Sequence, residues 1–575
     1  MKPILKTKRK FPFALLPAMV VFVLIGFIAF VYSVKYNKKV INDAVLLNTD
    51  ISIHSPTSSS LGGYYSSDFY LSLDSPDNFK VYYTTDGSEP NLNSEEYKDK
   101  ILIQAKIDDA DVLALIPTSP RWKPPVDNVF KGTVVRAICV NESNFKSMEF
   151  VKTYFVKQKL YSFPVLAITI NKDDFFGYKN GIYVMGKNYE DKRDYIRKKI
   201  PLSTSWWSYP SNYLKRGDNS ERKAYLEYFE KNGRLAFESS VGVRINGNAT
   251  RGFGQKSLRI VFDKKYGDSQ LNYQLFPDNP LNKFNSFVLR NGGNDWSKTF
   301  FRDAFMQSLV KTYLDVQSYT PSIVFLNGEY WGIHNIRERS DEHFIANKYK
   351  LSLDSIAILE FGGDLFYGKK KDKQEFKELL DFIKGNNLAE AQNYQYIEKK
   401  IDVTSFIDFV IANVYFCNAD WPNNNVKYWR SKTEAKGIDS LGVKDGRWRW
   451  MLFDTDWGFG YTGSESVNLN LLEKAKKSGS IGILFSGLLS NEKFVKQFKE
   501  RFDFHLKNTF ETNHVLSVID DFEKQYAPEM KEHISRWRVM ESYENWEKQV
   551  EELRKFAKVR PSIQLKQLDE FLKKK

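Results

Sequence analysis

The feature that most restricts this chain is an apolar run from Phe11 to Val34, 24 residues without a single Asp, Glu, Lys or Arg. As a helix it would be roughly 36 Å long, enough to cross a hydrocarbon core of about 30 Å with some tilt. It exceeds the usual apolar region of a secretory leader, and no small-residue cleavage pattern follows it. A membrane anchor is therefore the leading reading and a cleaved signal peptide the alternative. Five cations precede the run (Lys2, Lys6, Lys8, Arg9, Lys10) and three follow it (Lys35, Lys38, Lys39). That bias predicts residues 1–10 as a cytoplasmic tail, 11–34 as one transmembrane helix and 35–52 as a stalk. The bulk of the chain is then extracytoplasmic, in a single-pass membrane protein.

The anchor changes how the charge is read. The 575 residues carry a formal net charge of +14, but eight positive charges fall within residues 1–40, which hold no acidic residue, leaving +6 for the rest. Much of the basicity is a topology signal, and no nucleic-acid partner is expected. Two cysteines, Cys139 and Cys417, exclude a disulfide framework or a multi-cysteine metal site. The six histidines form neither HExxH nor HxH, and no GxSxG supplies a nucleophile elbow. Nothing fixes a carboxylate pair at glycosidase separation.

Residues 53–157 read as β structure. Phe79 to Thr84 alternates and leads to Asp86-Gly87, a hairpin-turn signal; Gly132 to Val140 and Val151 to Val156 read as further strands. Between them, Pro117, Pro120, Pro124 and Pro125 mark an irregular insertion. The YTTDGSEP sequence followed by a V-R-A strand resembles the chitobiase C-terminal-like β-sandwich, which implies an accessory spacer or a glycan contact.

From residue 158 to 575 the pattern is mixed α and β. Val241–Ile245 and Lys256–Phe262 alternate as strands across a Gly/Asn-rich loop, and Ser322 to Ile333 reads as a hairpin turning at Asn327-Gly328. Helical spacing is predicted over 300–313, 371–384 and 403–417, and from about 490 to the end. Strands first and then mostly helices predicts an α+β body of two lobes.

The helix ending near Cys417, with Asp402 as its N-cap, runs into Asn418-Ala-Asp420-Trp-Pro-Asn-Asn-Asn425. Asp420 and Asn425 have the D-x-x-x-x-N spacing of a kinase catalytic loop, in which the Asp accepts the proton of the attacking hydroxyl and the Asn carbonyl oxygen binds a metal. Val426–Arg430 and Trp448–Phe453 read as strands whose return delivers Asp454-Thr-Asp456-Trp-Gly458 beside Asn425. Either Asp454 or Asp456 then serves as the principal ligand for Mg²⁺ or Mn²⁺. Upstream, the loop Arg244 to Ser257 contains Gly252 and Gly254, whose backbone would approach phosphate, and Lys256, which would supply a point charge.

Five blocks occur in order across residues 241–460: VGVRINGNATRGFGQKSLRIVF, LRNGGNDWSKTFFRDAFMQSL, FLNGEYWGIHNIRERSDEHF, NADWPNNNVKYWR and WRWMLFDTDWGFG. Together they resemble the CotH spore-coat kinase family, with the likeness extending over about 159–575. The resemblance implies a divergent protein-kinase-like fold, ATP with Mg²⁺ or Mn²⁺ as cofactors, and Ser/Thr substrates among proteins of the cell envelope or spore coat. By position it makes Asp420 the general base and Lys256 the phosphate-binding lysine. Asn425, Asp454 and Asp456 become the metal set, and Glu338 sits near the nucleotide or the lobe junction. Three departures stand out: there is no H-R-D, the loop 431–447 lengthens the gap from Asp420 to Asp454, and Asp303 or Gln307 replaces the usual Glu partner of the lysine. They leave a non-catalytic envelope or coat-assembly protein on a degenerate kinase-like fold as the alternative function.

Overall fold

The computed structural model describes residues 55–194, 198, 206–432 and 442–574. The predicted anchor at 11–34 lies outside the described residues. Among the described residues no helix is long and apolar enough to cross a membrane.

The first unit is a small sandwich. A five-stranded sheet runs in the order Gly63–Tyr65, Phe150–Val156, Thr133–Asn141, Phe79–Thr84, Glu95–Glu96, with the pair Phe69–Leu71 and Ile101–Ile103 alongside. Its core holds Leu71, Val81, Ile103, Val135, Cys139 and Tyr154. Thr133–Asn141 is buried at every position but the last. A half-exposed strand would alternate; this one has the sandwich core on one face and protein on the other, which matches a buried stretch that is apolar on both faces except at Thr133 and Arg136. The Asp86-Gly87 signal does not close a two-residue hairpin. Gly87 takes φ 77 and its N–H reaches Val134 O, while the partner strand begins only at Glu95.

The proline-bearing insertion stitches this unit to the next. Amides of Val112, Leu113 and Ala114 donate to the carboxylate of Glu329 at 2.8, 2.9 and 2.7 Å, and Lys131 pairs with buried Asp111 at 2.7 Å.

The second unit is a closed seven-stranded barrel: β1 (Val165–Ile170), β2 (Arg222–Phe229), β3 (Leu235–Ile245), β4 (Leu258–Val261), β5 (Ser286–Arg290), β6 (Tyr319–Leu326) and β7 (Glu329–Arg337). Strand order is β1-β2-β3-β4-β5-β7-β6, antiparallel throughout except where β6 closes in parallel onto β1. Leu166, Ile168, Leu226, Val243, Ile260, Phe287, Leu289 and Val324 fill its interior. The β6–β7 turn is the predicted one: Asn327 (φ 43) and Gly328 (φ 84) both adopt left-handed conformations, as a two-residue hairpin requires.

The helical half surrounds a second sheet, in which Ile356–Glu360 (β8), Asp364–Tyr367 (β9), Lys427–Ser431 (β10) and Arg449–Leu452 (β11) pair in the order β11-β10-β8-β9, with Asp315–Val316 on the β11 edge. Its helices include α1 (Arg302–Leu309), α2 (Val403–Tyr415), α3 (Thr512–Trp537) and α4 (Tyr543–Lys573). Of these, α2 packs on β11, and α3 packs on β7 of the barrel and on α1. The Asp402 side chain caps α2 by accepting from Ser405 N, as its sequence position predicts, and α2 is buried from Phe406 to Tyr415. The fold class is α+β.

Candidate functional site

α2 ends at Tyr415, Cys417 just beyond it takes φ 50, and Asn418 ties the exit back to the helix through Nδ2 to Asn413 Oδ1 at 3.0 Å. The chain then forms the Asp420 loop. Asn424 Nδ2 donates to Asp420 Oδ1 at 2.7 Å and Asn425 Nδ2 to Asp420 Oδ2 at 3.0 Å. The same Asn425 amide donates to Asp454 O at 2.9 Å, joining the loop to the acidic turn after β11. Asn425 and Asp454 both sit in the left-handed region, at φ 57 and 53. Asn and Asp tolerate that region better than most residues, and backbone strain of this kind gathers where side chains must be aimed. Lys474, unremarked in the sequence, holds the loop from below by donating to Ala419 O at 3.0 Å and Trp421 O at 2.9 Å.

Strand β5 ends in Arg290, whose Nη2 lies 2.6 Å from Asp454 Oδ1 and 2.7 Å from Asp456 Oδ2. Asn294, in the turn after β5, donates to Asp456 from its backbone N at 2.9 Å and its Nδ2 at 3.1 Å. Asp303 on α1 pairs with Arg337 at 3.2 Å and accepts from Thr455 N at 2.8 Å and Gln307 Nε2 at 2.8 Å. Three carboxylates thus face two guanidinium groups. Burial and the charge of Asp454 push Asp456 up to about 7, only partly opposed by Arg290. At Asp303 burial is outweighed by Arg337 and Arg290, and its carboxyl falls to about 2.

Asp420, Asn425, Asp454 and Asp456 are therefore brought together. The glycine-rich loop is not brought to them. Lys256 is fully buried, and its ammonium donates to the carbonyls of Thr118, Arg251 and Phe253 at 2.9, 2.8 and 2.7 Å, between the rings of Tyr183 and Tyr213. Burial, with the nearby Arg251, drives it well below the usual lysine range. Residues 251–258 are buried throughout. A Cβ at Gly252 would lie 2.6 Å from Trp207 Cα, and one at Gly254 3.5 Å from the Trp537 ring. Gly252 thus admits the Trp207 backbone, Gly254 lies at ordinary contact distance from the ring, and both are buried rather than open to the phosphate expected of them. Nor do Asp303 and Gln307 partner Lys256; Asp303 pairs with arginines, Thr455 and Gln307, and Gln307 also accepts from Gln317 N.

Glu338, at the end of β7, accepts from Ser318 N at 3.0 Å and lines a cavity of about 320 Å³ with Ser308, Lys311, Phe344 and Lys348. Burial raises its carboxyl above the ordinary range. A larger cavity of about 610 Å³, bounded by Asp315, Asp402, Arg449 and Arg501, opens at the N-terminal end of α2, roughly 20 Å of helix away from Asp420.

The donor set suits a hard divalent ion. Among the described residues Asn425 bonds only through its amide nitrogen and Asp454 keeps one carboxylate oxygen without a hydrogen bond, and the cluster carries more negative than positive charge. Among the described residues no group of three or more His, Cys, Asp or Glu could hold a metal alone. A Mg²⁺ site built from one or two carboxylates is ordinarily completed by substrate phosphates and water.

From sequence alone neither Arg290 nor Asn294 is assigned a role, and Asp303 stands only as a candidate partner of Lys256. The available signal is a charge at the end of an apolar strand, SFVLR, followed by an Asn-Gly-Gly turn and an acid-bearing helix.

No curated protein matches the chain. The chitobiase/beta-hexosaminidase C-terminal domain matches residues 60–108, within the sandwich. The CotH kinase protein family model matches residues 243–563, a span holding every member of the acidic cluster and more than half of the sequence, and the chain belongs to that family.

Proposed function

We propose that this chain is an atypical protein kinase that transfers the γ-phosphoryl group of ATP to a Ser or Thr hydroxyl of a cell-envelope or spore-coat protein. The observation that carries the reading is Asn425, whose amide nitrogen joins the Asp420 carboxylate to the Asp454 backbone and whose carbonyl oxygen, without a partner among the described residues, could take a cation. Asp420 would accept the proton of the acceptor hydroxyl through the oxygens now held by Asn424 and Asn425. Asn425, Asp454 and Asp456 would hold Mg²⁺ or Mn²⁺, which when bound neutralises phosphate charge. Arg290 and Arg337 keep the carboxylates in place, and Lys474 ties down the Asp420 loop through the carbonyls of Ala419 and Trp421. In this reading the catalytic body is of the protein-kinase-like kind, and the segment 11–34 anchors it with its bulk outside the membrane.

Incubating the purified protein with labelled ATP and Mg²⁺ or Mn²⁺, alone and with envelope or coat proteins, tests the proposal. Label transfer is expected from the wild type and not from Asp420→Ala or Asp454→Asn. Absence of both transfer and metal-dependent ATP binding in the wild type sinks it. The second reading, a non-catalytic assembly protein, is favoured by Lys256, whose ammonium is enclosed by three carbonyls and is not presented to a phosphate. ATP binding without transfer to any acceptor would support it.

A further inference from the structure

The two aspartates bridged by Arg290 are not held alike. Asp456 is fixed independently by two hydrogen bonds from Asn294. The Asp454 side chain is 39% exposed, and among the described residues its carboxylate accepts one hydrogen bond, from Arg290 Nη2 at 2.6 Å. The guanidinium therefore sets the orientation of Asp454, and it occupies oxygens that a divalent ion would take.

The surroundings keep the bridge tight and also offer the guanidinium a second partner. A Cβ at Gly293, which takes φ 66, would lie 2.1 Å from Asp456 Oδ2 and 2.3 Å from Arg290 Nη2, so only glycine lets the turn close over the bridge. Among the described residues Arg290 Nε is buried without a hydrogen-bond partner, and Asp303 Oδ2 accepts no hydrogen bond although it forms an ion pair with Arg337 Nη2 at 3.2 Å. Arg290 Nε and Asp303 Oδ2 stand 3.8 Å apart, an ion pair within reach but not closed to hydrogen-bond distance.

We infer that Arg290 is a positioning residue that stands in for the divalent cation: its Nη2 holds Asp454 against Asp456 while the metal is absent and yields Asp454 when the metal binds, closing instead on Asp303. The inference rests on the metal-dependent reading proposed above. The cation alone should then bind weakly, because it competes with a fixed positive charge for the same oxygens, and nucleotide phosphates supply the further ligands that tip the exchange.

The test is titration of the full-length protein with Mn²⁺, without nucleotide, read by the electron paramagnetic resonance signal of free Mn²⁺. Arg290→Met is expected to bind Mn²⁺ alone about tenfold tighter than wild type, the size of effect that removing one adjacent cation has on a carboxylate. Asp454→Asn should bind it more weakly than wild type. In thermal melts Arg290→Met should be less stable than wild type without Mn²⁺ and recover with it. Binding no tighter than wild type overturns the inference, as does a loss of stability that Mn²⁺ does not restore, which marks a structural brace only. Arg290→Lys covers the case in which the methionine variant fails to fold. Its shorter ammonium cannot bridge both carboxylates, so it too should bind Mn²⁺ more tightly than wild type, and equal or weaker binding overturns the inference. If wild type binds Mn²⁺ with ATP but the variants show no gain, only the role of Arg290 falls. If no form binds Mn²⁺ with or without ATP, the metal-dependent reading falls and takes this inference with it.

Discussion

Asn425 Nδ2 lies 3.0 Å from Asp420 Oδ2 and 2.9 Å from Asp454 O, so one amide group spaces the candidate base from the candidate metal ligand. Both contacts use the nitrogen, which fixes the direction of the carbonyl oxygen. A base and a metal site held by one rigid element is the kind of preorganisation on which phosphoryl transfer depends.

This relationship predicts a split in kinetic behaviour. Asp420→Asn keeps the size of the side chain and, with its oxygen turned to Asn425, the bond that orients that residue. It gives up the bond from the exposed Asn424 and removes the basicity, so kcat should fall by about 10²–10⁴. Metal-dependent ATP affinity should stay within about twofold of wild type, since Asp420 is not in the donor set. Parallel measurement of phosphoryl transfer and equilibrium ATP binding checks it. A variant that loses both properties together would place Asp420 in the binding site instead.

Lys256 leads to the opposite kind of prediction. Its ammonium joins the insertion at Thr118 to the loop carbonyls of Arg251 and Phe253. Lys256→Met leaves three buried acceptors without their donor and should destabilise the fold by about 1–3 kcal/mol or more. Urea melts measure this directly. Unchanged stability with lost ATP binding would instead restore Lys256 to the phosphate role that its sequence position implies.

The contrast between these residues shows how far local sequence can reach. Asp420 and Asn425 are legible because five residues of loop fix their proximity, and Asn327-Gly328 is legible because the turn chemistry is local. Arg290 and Asp456 are 166 residues apart and meet only because β5 and the turn after β11 converge on one spot. Lys256 misleads because a glycine-rich strand–loop–strand looks the same whether its loop is open to phosphate or packed under Trp207, Trp296 and Trp537. The segment that covers it reads in sequence as an irregular insertion, although Glu329 binds three of its consecutive amides.

Gly328 should be intolerant of substitution for two reasons. Its φ of 84 disfavours any side chain, and a Cβ there would stand 2.4 Å from Gly132 O, where the sandwich strand meets the barrel hairpin. The Gly328 carbonyl also accepts from Gly132 N at 2.8 Å. Gly328→Ala is expected to cost about 2 kcal/mol or more and to increase proteolytic cutting between sandwich and barrel. A melt indistinguishable from wild type would show that the junction is looser than its contacts imply.

The same junction should respond to pH through Glu227. This β2 carboxyl is fully buried and accepts from Thr153 Oγ1 at 2.6 Å and Thr153 N at 3.2 Å, both from the sandwich. Burial lifts it from 4.5 to about 8, against the pull of Thr153 and Lys152. Because the folded value lies above the unfolded one, the folded state holds the proton more tightly. The stabilisation is fully present below about pH 4.5, declines as pH rises, and is gone above about pH 8. Glu227→Gln keeps a neutral, hydrogen-bonding group at every pH. It should therefore gain stability relative to wild type between pH 5 and pH 8, by an amount on the order of a few kcal/mol. Denaturant melts of both proteins across that range isolate the effect, since every other titrating group is common to the two. If the difference between them stays flat with pH, Glu227 is ionised in the folded state and Lys152 neutralises it in place.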